Sequence, residues 1–428
     1  VPVADPERLR ELSRYIRELK RDSTPEWETS AGSKRKKELC YGCIKGCNRS
    51  IYQADDGKQG KFMCQSASFY SSWADRYYQK RNDVPFWATK LCDYYGLDTK
   101  AITPMLTWLS RCRQTGLLTD ENTGLPMSKL GSLEFIEALV KKVSFRDGFG
   151  DILAQGTFKA AELMGGKAKE QIGDFPFKAG QRMTYGPRMY IATGLLYMVE
   201  PRPPVPELHE ISHLVVDWVE WVKKKKDASL SSDGLRSIAE KFWGSALAAD
   251  FSTYEGKALA AKIIQERQYA KESLILCDFS WPMAYIRDEK GQVGNPGLES
   301  KIVSAVIGKE LDEQGLYQVG ERVLNLQRAI LAREGHRGRE NDLLPEPCYT
   351  VPLDSDSRNP ECLVPGKDGV VMTKKGTVLD REKFEQLKDE YYELRGWDVR
   401  TGLQTMAKLA ELRLGDIAED LARRGLVV

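Results

Sequence analysis

Apolar residues recur with helical period through most of this chain, and nowhere do strands alternate with helices. That pattern excludes a doubly wound parallel sheet and leaves a mainly α architecture with minor β-hairpins. In PERLRELSRYIRELKR, Leu9, Leu12, Ile16 and Leu19 share one face, after Asp5 as N-cap and Pro6 in the first turn. Further helices are expected at 70–82, 85–95, 101–115, 132–144, 149–165, 207–226, 232–249, 255–272, 318–334, 380–394, 403–412 and 414–424. Residues 22–38 read as polar and irregular. So do 174–194, with Pro176 and Pro187, and EPRPPVPELHE, whose prolines cannot occupy a helix interior. Hairpins are expected at 49–64, turning at Asp56-Gly57, and within GKDGVVMTKKGTVL.

With 428 residues, 41% hydrophobic and 29% charged, the chain can bury sizeable cores in two or three domains. A net charge of +2 argues against nucleic acid as the main partner. The runs KRKK (34–37) and KKKK (223–226) read either as solvated faces or as docking patches for an acidic protein. No apolar run reaches the ~18–20 residues of a membrane span. The opening VPVADPE reads as a linker inside a longer protein. Nine cysteines without a secretory leader point to a reducing, cytoplasmic setting and to metal chemistry rather than disulfides.

The segment CYGCIKGC spaces Cys40, Cys43 and Cys47 as C-x2-C-x3-C. Thiolates are soft ligands that suit zinc or an iron–sulfur cluster, and three in one loop can wrap a compact core. A fourth ligand is available from Cys64, just across the first hairpin, or from Cys277, far downstream in KESLILC. With Cys64 a four-cysteine zinc site is reasonable; with Cys277 the site ties distant regions together. Spacing alone leaves both open. Cys92, Cys112, Cys348 and Cys362 lack ligand spacing and read as packing residues. Of the three histidines, His209 and His213 stand four apart, as metal ligands, proton carriers or polar residues without chemistry. His336 reads as a surface or helix-end residue.

Several segments in register resemble the second and third domains of the aldehyde ferredoxin oxidoreductase family, tungsten or molybdenum bis-pterin enzymes with a nearby [4Fe-4S] cluster. CYGCIKGC is similar to the family's cluster loop. CDYYGLDT matches its D-x-x-G-L-D pterin motif, and STYEGKALAAKIIQERQYAKESLILC its approach to the fourth cluster cysteine. VSFRDGFGDILAQGTFKAAELMG, GERVLNLQRAILAREG and DEYYELRGWD resemble further family segments. The resemblance implies two helical domains, 1–173 and 174–428, with no counterpart of the family's β-rich first domain. It assigns Cys277 as the fourth cluster ligand beside Cys40, Cys43 and Cys47. It also assigns Asp93, Gly96, Leu97, Asp98, Glu272 and Leu276 to pterin binding. Paired N–H donors on a pterin edge suit a carboxylate, and Gly96 permits a tight turn between two acids. A helix end with a terminal glycine explains CDYYGLDT equally well. Glu272 and Ile275 stand where the family's second motif has Asp and Gly.

The implied reaction is oxidation of an aldehyde to a carboxylate, with electrons passing through the cluster to ferredoxin or another electron-transfer protein. His209 would assist proton removal. The first domain would be supplied in cis or as a separate chain, and assembly with itself or with other subunits is compatible with this. Where many family members have G-P-E-Y-E, this chain has GKFMCQSASFY. Cys64 there resembles the tungsten-ligating cysteine of class II benzoyl-CoA reductase, whose reaction is low-potential reduction of an aromatic acyl-CoA. A non-catalytic cluster- or zinc-bearing electron-transfer subunit is the third alternative.

Overall fold

Apolar residues gather into separate cores on either side of the junction between Arg182 and Met183, where the chain divides into two units. The computed structural model describes residues 28–30, 33–40, 47, 49–173, 177–178, 181–225, 228, 230–278, 294–356 and 358–428. The expected helix carrying Leu9 to Leu19 lies outside them.

The first unit opens with an antiparallel sheet of β1 (Glu28–Ser30), β2 (Ser33–Lys37), β3 (Arg49–Gln53) and β4 (Gln59–Met63), in that order. Period-2 alternation buries Ser50 and Tyr52 on one face of β3. Tyr52 and Phe62 join Phe86 of the following helices in a small core, with the Phe62 and Phe86 rings 5.5 Å apart. Then come α1 (Cys64–Ser68), α2 (Ser71–Tyr78), α3 (Val84–Tyr95), α4 (Thr99–Gln114), α5 (Leu133–Phe145), α6 (Phe149–Ala154), α7 (Thr157–Met164) and α8 (Gly166–Glu170). Their shared core includes Cys92, Leu106, Trp108, Phe135 and Leu139. The Trp108 indole N–H is satisfied by the Ala168 carbonyl at 2.8 Å. The short strands β5 (Phe177–Lys178) and β6 (Gln181–Arg182) close the unit.

The second unit is built around one buried helix. Its elements are α9 (Ile191–Val199), α10 (Val205–Val222), α11 (Ser232–Trp243), α12 (Lys257–Ser273), α13 (Leu298–Ile307), α14 (Glu313–Arg333), β7 (Leu363–Pro365), β8 (Val371–Thr373), α15 (Arg381–Arg395), α16 (Met406–Glu411) and α17 (Gly415–Arg423). Helix α12 packs against α9, α10, α11, α14 and α15, which takes most of its polar residues out of solvent, Glu272 and Ser273 at its end excepted. They are instead paired. Glu266 meets Arg395 and Lys262, each at 2.7 Å. Arg267 pairs with Glu210, and Lys257 Nζ donates to the carbonyls of Leu247, Asp250 and Glu255. Such pairs add little net stability but are costly to break, so they specify which helices may surround α12.

A second buried network joins α14 to the segment before α15. Arg328 donates two bonds to Asp342, at 3.1 and 2.6 Å, and Tyr392 a third at 2.5 Å. His336 closes the end of α14 as expected, its backbone N–H donating to the Leu331 carbonyl, and its ring approaches the same carboxylate at 3.4 Å. Burial alone would raise the Asp342 pKa; the Arg328 charge and these hydrogen bonds outweigh it and hold it at about 2. A depressed carboxylate stabilises the fold above its unfolded pKa and loses that contribution as pH falls toward the folded value. Acid titration is therefore expected to remove about 2 kcal/mol between roughly pH 4 and pH 2. In Asp342→Asn, urea melts should lack that portion of the acid sensitivity.

The expected mainly helical fold is the one that forms, with differences that have local causes. The helix expected at 149–165 breaks at Gly156, whose φ of +87° an L-residue would adopt only under strain. Helix α9 begins inside the stretch read as irregular, and α10 begins inside EPRPPVPELHE. Pro204 is its N-cap and Pro206 lies in its first turn, where a missing N–H costs nothing. The second hairpin is displaced: GKDGV forms its turn, and Leu363–Pro365 supplies the first strand. Part of the polar stretch at 22–38 pairs as β1 and β2.

Candidate functional site

The acid-bearing motifs end two helices with the same hydrogen-bond pattern. At the end of α3, Gly96 N–H donates to Asp93 O and Leu97 N–H to Cys92 O. At the end of α12, Ile275 N–H donates to Glu272 O and Leu276 N–H to Lys271 O. Gly96 and Ile275 both take left-handed backbone angles, φ +68° and +56°. Each loop thus holds an exposed carboxylate, Asp93 or Glu272, three residues before the turn, and Asp98 or Cys277 two residues after it. Asp98 also N-caps α4, accepting from Lys100 N–H at 2.8 Å, so the first motif is both a helix end and a display of two acids.

Ile275 is 92% exposed and β-branched, so its left-handed conformation costs on the order of 1–2 kcal/mol with no packing in return. Ile275→Gly is expected to raise stability by about 1 kcal/mol. A thermal melt should show the midpoint rise by roughly 2–4 °C; an unchanged or lower midpoint would contradict this account of the turn.

One residue beyond Cys277, Asp278 accepts a hydrogen bond from His209 Nδ1 at 2.7 Å. The bond directs the Nδ1 hydrogen to the carboxylate, which makes Nε2 the basic nitrogen of the neutral ring. His209 is 13% exposed. As the i, i+4 spacing allows on a helix, the rings of His209 and His213 stack, with centroids 4.4 Å apart. Tyr185 meets both edge-on, and its carbonyl is held by the Thr193 hydroxyl at 2.9 Å. Lys271 Nζ lies 3.9 Å from Asp278. Sequence reading missed Asp278, although its place directly after Cys277 was visible; no local signal linked it to a histidine in another helix.

The cysteines fall into two chemical classes. Cys92, Cys112, Cys348 and Cys362 are fully buried, and burial pushes the Cys92 and Cys348 thiols up to about 12 and Cys112 to about 11. Thiols held neutral in apolar cores are poor metal ligands. Cys40 and Cys277 are exposed, and Cys47 is half-buried. The Cys47 sulfur accepts the Arg49 backbone N–H at 3.4 Å, the kind of bond that steadies a thiolate or a cluster sulfur. These free thiols suit an iron–sulfur cluster, and the exposed carboxylates of the two loops suit a pterin edge. Among the described residues no three His, Cys, Asp or Glu side chains already converge as a metal site. Cys43 lies outside those residues. The Cys64 backbone opens α1, directly after β4. Among the described residues no helix is long and apolar enough to cross a membrane.

The family model for aldehyde ferredoxin oxidoreductase, domains 2 and 3, matches residues 13–414. The tungsten-containing aldehyde ferredoxin oxidoreductase of Pyrococcus abyssi is 24% identical over 380 residues, covering 88% of this chain and 52% of that protein. The WOR-like subunit of the aliphatic sulfonate oxidoreductase of Pyrococcus furiosus is 23% identical over 343 residues, covering 78% of this chain and 43% of that one. The chain thus spans about half the length of the curated relatives it matches. Among solved structures, the active-site complex BamBC of benzoyl coenzyme A reductase with 1,5-dienoyl-CoA has the same fold, with a TM-score of 0.59 at 20% identity. The match covers 97% of this chain and 57% of that one. With a family match over nearly its whole length, the chain belongs to the family of aldehyde ferredoxin oxidoreductase domains 2 and 3.

Proposed function

We propose that the chain is the cluster- and pterin-binding part of a tungsten (or molybdenum) bis-pterin oxidoreductase that oxidises an aldehyde to a carboxylate. The observation that carries this is the pair of matching helix-end loops, each presenting an exposed carboxylate, the second leading into Cys277 and the His209–Asp278 pair. Aldehyde and water give carboxylate, two electrons and three protons. When bound, a metal–pterin would supply two-electron oxygen-atom chemistry and a [4Fe-4S] cluster would supply one-electron transfer, with ferredoxin as the proposed acceptor. The residues of this chain do the rest. Asp93, Asp98 and Glu272 accept pterin N–H groups, with Gly96, Leu97 and Leu276 shaping the two turns. Cys40, Cys43, Cys47 and Cys277 hold the cluster. His209, oriented by Asp278, accepts a proton at Nε2.

Metal analysis of the protein isolated anaerobically with all its native partners tests the reading. Tungsten or molybdenum with about four irons, and aldehyde-dependent reduction of ferredoxin, is the expected result. Zinc in place of iron would sink it, and iron without tungsten or molybdenum would make the chain an electron relay. The acyl-CoA alternative turns on Cys64: acyl-CoA reduction lost in Cys64→Ala, with no aldehyde oxidation in the parent protein, would replace the present reading.

A further inference from the structure

His209 and its chain neighbour Glu210 on α10 are the two ends of one path of contacts that runs through α12. His209 Nδ1 donates to Asp278 Oδ2 at 2.7 Å, and the other oxygen of that carboxylate faces Lys271 Nζ at 3.9 Å. Lys271 is 5% exposed and donates to Gln268 Oε1 at 3.0 Å. The Gln268 amide nitrogen donates to Glu210 Oε2 at 2.6 Å. Glu210 in turn accepts from the Trp243 indole at 2.8 Å and pairs with Arg267. The path thus returns to the residue beside His209 and closes a ring between the two helices.

Such a ring fixes the direction of each member. Gln268 cannot flip, because its oxygen would then face Glu210 and its nitrogen Lys271, acceptor against acceptor and donor against donor. The Lys271 ammonium is thereby held in one place, beside Asp278. The charges of the ring, Arg267 and Lys271 against Glu210 and Asp278, sum to zero. Burial lowers the Lys271 pKa from its ordinary value. The Asp278 charge is the largest influence the other way, with Glu299 of α13 and Glu207 of α10 adding to it and Arg267 opposing. His209 faces Asp278, the stacked ring of His213 and the Tyr185 ring that meets it edge-on.

We propose that Lys271 is a positioning residue for the His209 base: it holds Asp278 against Nδ1 and limits how tightly the pair keeps a proton. This rests on the function proposed above. A histidine paired with a carboxylate alone holds its imidazolium strongly, which favours taking a proton and hinders releasing it. A general base must do both in each turnover, so it works best when it titrates near the working pH. The ammonium at the other oxygen offsets the Asp278 charge that the imidazolium feels. The proton is taken and returned at Nε2, and Lys271 stays an ammonium throughout.

Deuterium exchange at the imidazole C2 position, followed against pH and read residue by residue by mass spectrometry, gives the His209 midpoint in the intact, metal-loaded protein without turnover. In Lys271→Met, which keeps the length and loses the charge, that midpoint should rise by about one pH unit. Lys271→Arg, which keeps the charge, should bring it back toward the parent. The acid limb of the pH–kcat profile for aldehyde oxidation should move the same way, with kcat at neutral pH down about tenfold. KM should stay within about twofold, and metal content should not change. Lys271→Gln, which can still donate to Gln268, serves if the methionine variant does not fold. A His209 midpoint that stays put in the neutral variants, or an arginine variant that behaves like the methionine one, overturns the proposal. So does a raised KM with kcat unaltered. A shifted midpoint in a metal-loaded protein that oxidises no aldehyde would keep the Lys271 role and remove the assigned reaction.

Discussion

If Cys277 is the fourth ligand of the proposed cluster, replacing it by alanine is expected to lower the iron content while leaving the fold in place. Cys277 is exposed, in a loop whose hydrogen bonds come from the backbones of Ile275 and Leu276 rather than from its side chain. Truncating a side chain in such a position costs within about 0.5 kcal/mol. In the proposed site four cysteines hold the cluster, and removing one leaves an iron without its thiolate. Iron should fall from about four per chain to less than half, with the circular dichroism spectrum unchanged. Cys348→Ala and Cys362→Ala are the controls. Those thiols are buried and neutral, so the variants should lose stability but keep their iron. Full iron in Cys277→Ala would return the fourth-ligand role to Cys64.

The second large effect is expected at Gly320, and it concerns the scaffold rather than the metal. Helix α14 crosses α12 so closely that a Cβ at 320 would lie 1.9 Å from the Glu266 carbonyl oxygen and 3.1 Å from the Ala270 nitrogen. Both obstacles are backbone of the central helix, so no side chain can swing aside. Moving α12 would also pull Glu266 from Arg395, and would disturb the helix whose end carries Glu272 and leads into Cys277. Gly320→Ala should cost about 3 kcal/mol or more, as overpacking and loss of buried pairs combine. For a unit of this size the melting midpoint should drop by roughly 6–12 °C. Gly186→Ala, where a Cβ meets nothing within 4 Å, should stay near the parent. If the two variants melt together, the close helix crossing is not what holds the second unit.

Much of the architecture is legible in the chain before any coordinates. Helical period marks α3, α4, α5, α12 and α15, because which face is apolar is written locally every three or four residues. The pairs of positive-φ and acidic positions are also local: Gly96 sits at the end of a helix because of what precedes it. Prolines were misleading only in degree, since Pro204 and Pro206 forbid a helix interior and at the same time suit a helix start. The displaced hairpin shows the limit of turn signals. GKDGV marks a turn, but which residues pair across it depends on what the strands pack against.

The chain by itself therefore determined the helices, their ends and the spacing of the thiols and acids that the proposed function uses. Tertiary structure alone decided which charges meet. It joined His209 to Asp278, Arg328 to Asp342 and Gln265 to Glu200, pairs that lie in different segments with no shared periodicity. It also placed Lys271 at the other oxygen of Asp278. Periodicity reports whether a side chain is buried. It cannot report what it is buried against, and for a carboxyl in a low-dielectric interior that neighbour decides whether the group is a charge or an acid.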